Sequence, residues 1–422
     1  MGRRTQPVPA LWYTFDMLEL GQIVGELANL SAEAQQDWRL RAEQMDTAIA
    51  QATKSGEEWA ALVHRIKTAD TPWLNGIPIR VDQPIADPIA PPETPPLYTV
   101  VAADGSQIPL DRHSVLPYYV VNTGKVVIHY GSGERATLTS SAKLFYKEAD
   151  LLMDGPEGDL SYIGDAQVSA RRQQHETQAL KALVDAHADR DAVLALADGT
   201  LILWAQEGDK GDQSRTRAQS VSDLIDLFAA AKATGALVAS YLSRPRSREV
   251  VNALKVSLYP EGTLKYKDYP VGKLPAGGFS RLTDAALFER TLGDGQRSTV
   301  FESQSKVLDE YDKAARNRQY DDPDGYRIGF FYVNAGQEIA RVETPLWIAA
   351  NPALVDNLHA LVLDQVRKGM GYPVALQEAH EQAIVRGPER AAFNSLIERQ
   401  CIRDEIAVRT SRKALSKMTP FA

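Results

Sequence analysis

The chain has 422 residues, 44% hydrophobic and 24% charged, which excludes wholesale disorder and suits one large domain with an accessory region, or two domains. Its net charge of −8 argues against a generic polyanion binder but leaves room for a local basic groove. The single cysteine, Cys401, excludes an intrachain disulfide and a cysteine-rich zinc site, and fits a reducing compartment.

The opening stretch MGRRTQPVPALWYTFDMLEL sets basic residues before apolar ones. Asp16 and Glu19 interrupt that run and no small-residue cleavage site follows, so no signal peptide is expected. Gln6 stands where a myristoylation signal needs Ser or Thr. No apolar run reaches the roughly 18 residues of a membrane-spanning helix. The expectation is a soluble cytoplasmic protein with no membrane contact.

From Ser31 to Ala69 the chain is polar and rich in Ala, Gln, Glu and Arg. Trp38, Ala42, Met45, Ile49 and Ala52 fall three or four apart, the stripe of an amphipathic helix. Trp59, Leu62 and Ile66 repeat the spacing after Gly56. Residues 1–75 therefore read as an N-terminal helical arm. The prolines of NGIPIRVDQPIADPIAPPETPPLY forbid regular helix and central strand, so residues 76–97 read as a linker or extended crossing.

Tyr98 to Ala103 reads as the first strand. Asn122, Thr123 and Gly124 separate two β-rich runs and predict a hairpin. ERATLTSSAKLFY adds a third strand and a turn. A helix follows, with Val168, Glu176, Leu180, Leu183 and Val184 on roughly one face. DAVLALADG is a strand, SDLIDLFAAAKATG a helix and ALVASYLS a strand. This order predicts an α/β fold, a mixed sheet flanked by helices. Residues 244–324, rich in Gly, Pro and charge, read as an insertion. Two strands around Asn334-Ala335-Gly336 and two helical stretches close the chain.

Five Asp-Gly pairs occur, at 104, 154, 198, 294 and 324. A lone Asp-Gly is usually a turn. Those at Asp104 and Asp198, however, follow long apolar runs of the kind buried strands show, and ligands collect at strand ends in open α/β sheets. Glu176 shares the stripe of Leu180 and Leu183, and His380 shares one of Leu376, Ala383 and Ile384, so both are expected to face inward. Each alone is more often a rim glutamate or a satisfied core histidine. Together the four make an oxygen-rich set with one imidazole, suited to Mg²⁺ or Mn²⁺. Two such ions about 4 Å apart can activate water and stabilise the leaving oxygen of a phosphodiester.

The order VVAADGS, ARRQQHETQAL, LALADGTLILW and GYPVALQEAH resembles the NurA nuclease family from about Tyr98 to the last helix. The terminal Tyr-Pro-x-x-Leu-x-x-Ala-His is the most specific part, and Arg341 with Glu343 matches a recurring Arg-x-Glu. The resemblance implies a ribonuclease-H-like core over 98–422. It implies a manganese-dependent 5′-to-3′ exonuclease and single-strand endonuclease, dimeric, that processes DNA ends with the hexameric ATPase translocase HerA. It implies Asp104, Glu176 and Asp198 as metal-binding carboxylates. His380 becomes a fourth ligand or the group that handles water or leaving group, and Tyr372 a residue that positions phosphate or water. Ser243, Arg244, Pro245 and Arg246 stand where the family often carries Ser-Lys; arginine keeps the charge and forks onto phosphate.

The expected site is thus a two-metal phosphodiesterase acting on single-stranded DNA and double-stranded ends. Candidate phosphate contacts are Arg171, Arg172, Arg244, Arg246, Arg248 and Arg341, each weighed against a solvated surface charge. Alternatives are a catalytically silent DNA-binding adaptor of a translocase and a nuclease for RNA or hybrids with the same site. A carboxylate-pair glycosidase ranks lower: it lacks an aromatic sugar platform and has no use for His380.

Overall fold

A computed structural model of the chain describes residues 20–405 except 55, 72, 81, 83, 111–115, 155–159, 191, 205–211, 260–263, 265–278, 280 and 281. The order of elements begins α1 (Leu20–Ala52), α2 (Gly56–Thr68), β1 (Gly76–Pro78), β2 (Tyr98–Ile108), β3 (Tyr119–Tyr130), β4 (Thr137–Phe145), α3 (Glu148–Leu151), β5 (Leu152–Asp154) and β6 (Leu160–Tyr162). It continues with α4 (Asp165–Ala186), β7 (Val193–Asp198), α5 (Asp212–Thr234), β8 (Leu237–Leu242), α6 (Glu249–Lys255), α7 (Asp284–Thr291), β9 (Phe301–Ser303) and α8 (Asp309–Asn317). The last part comprises β10 (Ile328–Asn334), β11 (Ile339–Pro345), α9 (Leu346–Ala349), α10 (Pro352–Lys368), α11 (Val374–Ala383) and α12 (Gly387–Arg403).

Among the described residues nine strands form one mixed sheet, in the order β1-β9-β10-β11-β8-β7-β2-β3-β4. β2, β3 and β4 make the antiparallel meander; β7 runs parallel to β2, and β8 parallel to β7. The parallel centre explains why β2 up to Ala103 and β7 up to Ala197 read as largely apolar runs: strands covered on both faces have no polar side to alternate. Leu180 and Val184 of α4, Ile225 and Phe228 of α5 and Leu358 and Val362 of α10 bury against this centre.

Two sequence readings need correction here. β2 does not stop at Ala103 but continues to Ile108, because β3 pairs with it along its whole length, Asp104 opposite Gly124. Asn122, Thr123 and Gly124 accordingly lie inside one continuous β3 rather than in a turn. Gly124 is there for packing: a Cβ on it would collide with the Ala379 carbonyl oxygen and stand 2.6 Å from the Ala383 nitrogen. The glycine lets the backbone of α11 lie directly on the sheet.

The parallel ladder of β2 with β7 ends at Ala102 opposite Leu196. Beyond it β2 runs on with β3 while β7 turns away at Gly199, whose φ of +81° a glycine adopts without strain. A crevice therefore opens beside β2 outside the carboxyl end of β7, the place where open α/β sheets bind ligands. Successive residues of a strand point to opposite faces. Asp104 bonds to α11 and a Cβ on Gly105 would meet α4, so these helices cover opposite faces of β2.

A second core joins the N-terminal helices to the region read as an insertion. Trp59, Leu62 and Ile66 of α2 bury with Met45, Ala48 and Ala52 of α1, Val250 and Leu254 of α6 and Phe288 of α7. Large side chains of this kind contribute roughly 1.5–3 kcal/mol each by leaving water. The stripe expected on α1 is only partly buried: Trp38 is 71% exposed and Ala42 is exposed as well. Gly76–Pro78 add a short edge strand to the sheet, where proline is tolerated. No helix among the described residues is long and apolar enough to cross a membrane.

Candidate active site

Three carboxylates converge where the crevice opens: Asp104 from β2, Glu176 from the middle of α4 and Asp198 from the last position of β7. All three line a cleft of about 650 Å³ between α4, the start of α5 and the turn after β7. Gly105 allows the approach of α4, because a Cβ there would lie 2.5 Å from Glu176 Oε1 and 2.8 Å from Arg172 Cγ.

Each carboxylate is held by a different partner. Asp104 is buried; its Oδ1 accepts from the Gly105 backbone N–H at 2.7 Å and its Oδ2 lies 2.7 Å from His380 Nδ1. Tyr372 donates its hydroxyl to Asp198 Oδ1 at 2.9 Å. Arg172 donates from one guanidinium nitrogen to Glu176 Oε1 at 2.6 Å and to the Gly105 carbonyl at 3.1 Å. Burial pushes the Glu176 carboxyl up to about 7; Arg172 opposes this, and the charges of Asp104 and Asp198 add to it. Burial, then the Asp198 charge, raises the Tyr372 phenol above its ordinary range, so it stays a donor.

The turn after Asp198 is fixed from beneath. Glu343 Oε2 accepts from the Leu201 N–H at 2.7 Å and the Thr200 hydroxyl at 2.8 Å. Its Oε1 accepts from Arg341 Nε at 2.8 Å, and the same guanidinium pairs with Glu249 Oε1 at 2.7 Å. The buried Tyr311 hydroxyl donates to the Leu201 carbonyl at 2.6 Å and accepts from the Leu203 N–H at 3.0 Å.

The structure thus brings together Asp104, Glu176, Asp198, His380 and Tyr372. His380 is not inward-facing as its helical spacing suggested: its side chain is 61% exposed and reaches Asp104 from the rim. Arg172 lies inside the site as the partner of Glu176. Arg171 lines a smaller neighbouring pocket with Asp150 and Arg215. Arg244 is exposed, 3.6 Å from Glu338, and Arg246 is exposed. Arg248 donates to the Phe279 carbonyl at 2.8 Å. Arg341 as a DNA contact is a correction: its side chain is 2% exposed, stacks on Phe330 and is held between two glutamates, with no face open to solvent.

The sequence reading missed Glu343, Thr200 and Tyr311 as supports of the Asp198 turn. The Arg-x-Glu pattern marked Glu343 without revealing its role. The i, i+4 spacing of Arg172 and Glu176 was the available signal for their pairing.

Among the described residues no group of three or more His, Cys, Asp or Glu side chains already stands in metal-holding geometry. Arg172, His380 and Tyr372 each engage an oxygen of a different carboxylate. The donor chemistry nonetheless fits a hard divalent cation. Of the three carboxylates only Glu176 is paired with an arginine among the described residues, and burial disfavours its ionisation.

The NurA domain model matches residues 98–385. Among solved structures the chain is similar to the NurA nuclease from Sulfolobus solfataricus, 11% identical, with 91% of this chain and 98% of that chain covered at a TM-score of 0.50. At that identity the likeness shows a shared fold. Endonuclease V of Ciona intestinalis, in complex with an inosine-containing DNA, matches at 10% identity over 80% of this chain and 96% of that one, with a TM-score of 0.28. The type 1 RNase H named LC9-RNase H1 matches at 11% identity over 38% and 71%, with a TM-score of 0.20. No curated protein sequence matches the chain.

Proposed function

The chain belongs to the NurA family, and we propose that it is a metal-dependent DNA nuclease. On this reading it acts as a 5′-to-3′ exonuclease and single-strand endonuclease in DNA end processing, as a homodimer working with a HerA-type hexameric translocase. The convergence of Asp104, Glu176 and Asp198 on one cleft carries the proposal.

Asp104, Glu176 and Asp198 would hold Mn²⁺ or Mg²⁺, two ions in the full reading, with His380 at the edge of the set. Such ions supply Lewis acidity, which favours ionisation of the attacking water and offsets charge on the phosphate. The chain's own residues then have distinct tasks. His380 orients Asp104 through Nδ1, and its exposed ring can exchange a proton with the leaving oxygen or the water. Tyr372 fixes one oxygen of Asp198 and so the direction of the other. Arg172 balances Glu176, and its release toward substrate phosphate would let Glu176 take a metal instead.

Cleavage of 5′- and 3′-end-labelled single- and double-stranded DNA with Mn²⁺, Mg²⁺ or EDTA tests the reading. Metal-dependent loss of label from one end, abolished in Asp104→Ala, is expected. An absence of cutting on every substrate, with the translocase present, would leave the silent adaptor as the better reading.

A further inference from the structure

The cleft beside the carboxylates has one aromatic side chain on its wall among the described residues, Trp204. Around it the wall carries Ile202 and Leu203 together with polar side chains, among them Gln167, Ser169 and Gln173 of α4 and Thr216 of α5. Trp204 is 49% exposed although Leu201 and Ile202, just before it in the chain, are buried. A large aromatic ring left half-exposed on the cleft wall beside three carboxylates calls for a ligand with an apolar face.

The segment that leads to Trp204 is fixed. Asp198 and Trp204 bracket one short segment, and that segment is fastened at four points. Thr200 and Leu201 are held by Glu343, and Leu201 and Leu203 by the buried Tyr311 hydroxyl. The Thr200 hydroxyl also accepts from the Ile202 N–H at 3.0 Å. The backbone that carries Trp204 is therefore fixed relative to Asp198.

Resting on the nuclease reading above, we propose that Trp204 is a stacking platform for one unpaired base of the strand being cut, at a fixed step from the scissile phosphate. Every base has a π-face, so the contact tolerates any sequence. The neighbouring glutamines and hydroxyls can donate to phosphates and can meet base edges of either polarity. A base inside a duplex has both faces covered, so the contact selects single strands.

The test uses the full chain and the variants Trp204→Ala and Trp204→Phe, with thermal melting to confirm that each folds. With single-stranded DNA, Trp204→Ala is expected to raise KM about tenfold with kcat within about twofold, as for a contact made equally in ground and transition states. Trp204→Phe should restore most of the loss, and blunt duplex should be cut as by wild type. An abasic residue at one position relative to the cut should weaken wild type about as much as the variant does, and add nothing in Trp204→Ala. Unchanged KM in Trp204→Ala, or equal losses on single strand and duplex, would overturn the proposal. Should no protein cut any DNA, the nuclease reading fails separately. Anisotropy of the same labelled oligonucleotide without metal then still decides Trp204, through a tenfold weaker affinity in Trp204→Ala or none.

Discussion

Gly124 lies opposite Asp104 in the β2–β3 ladder, on the face where α11 brings His380 to the Asp104 carboxylate. The absence of a side chain at 124 is what allows that helix to sit so low. Gly124→Ala would press a methyl group against helix backbone, which cannot swing aside as a flexible side chain can. Overpacking of this kind costs ~1–3 kcal/mol. The variant should lose at least tenfold in cleavage rate while remaining folded by circular dichroism. Wild-type activity in Gly124→Ala would mean that the His380–Asp104 contact is dispensable.

The Arg341 guanidinium is buried between Glu249 and Glu343. Its removal strands two carboxylates in the core, and breaking a buried pair from one side costs about 3–5 kcal/mol. Arg341→Ala should show that loss in urea denaturation. Glu343→Gln keeps an oxygen for the Leu201 N–H but gives up the charge pair. It should be destabilised less than Arg341→Ala, yet lose more cleavage activity than its stability explains, because the Asp198 turn loosens. If cleavage in Glu343→Gln follows stability alone, the turn needs no such support.

His359 is fully buried, with Nε2 2.8 Å from the Gly295 carbonyl, which fixes the neutral ring as its donor. Burial pushes its pKa down to about 4, the Gly295 carbonyl opposing this and the Arg297 charge adding to it. The unfolded chain takes up this proton near pH 6.5 and the folded chain only near pH 4. Between those values the unfolded state binds more protons, so stability falls as pH falls, by up to ~3 kcal/mol from this residue. Denaturation at pH 7 and pH 4.5 should show a shallower loss in His359→Gln than in wild type. Parallel losses in the two proteins would place the acid sensitivity elsewhere.

The strand–helix alternation was legible because buried parallel strands and amphipathic helices leave different periodicities. Asp104, Glu176 and Asp198 were legible as carboxylates out of place, at the end of an apolar run or within an apolar stripe. Gly124 was misread because glycine beside Asn and Thr signals a turn just as strongly as it signals a close approach. His380 was misread because spacing gives a helical face, not how far a side chain at its edge reaches. Arg341 was misread because a local pattern does not distinguish an arginine on a surface from one enclosed by Glu249, distant in sequence. Trp204 carried no local signal, since its meaning depends on the α4 and α5 wall across the cleft.

The most direct test of the account is Mn²⁺ binding, followed by electron paramagnetic resonance as metal is added to wild type, Asp104→Asn, Glu176→Gln and Asp198→Asn. The account predicts saturable binding by wild type that weakens at least tenfold in each variant, with the folded state preserved. Undiminished Mn²⁺ affinity in all three variants would contradict a metal centre built on Asp104, Glu176 and Asp198.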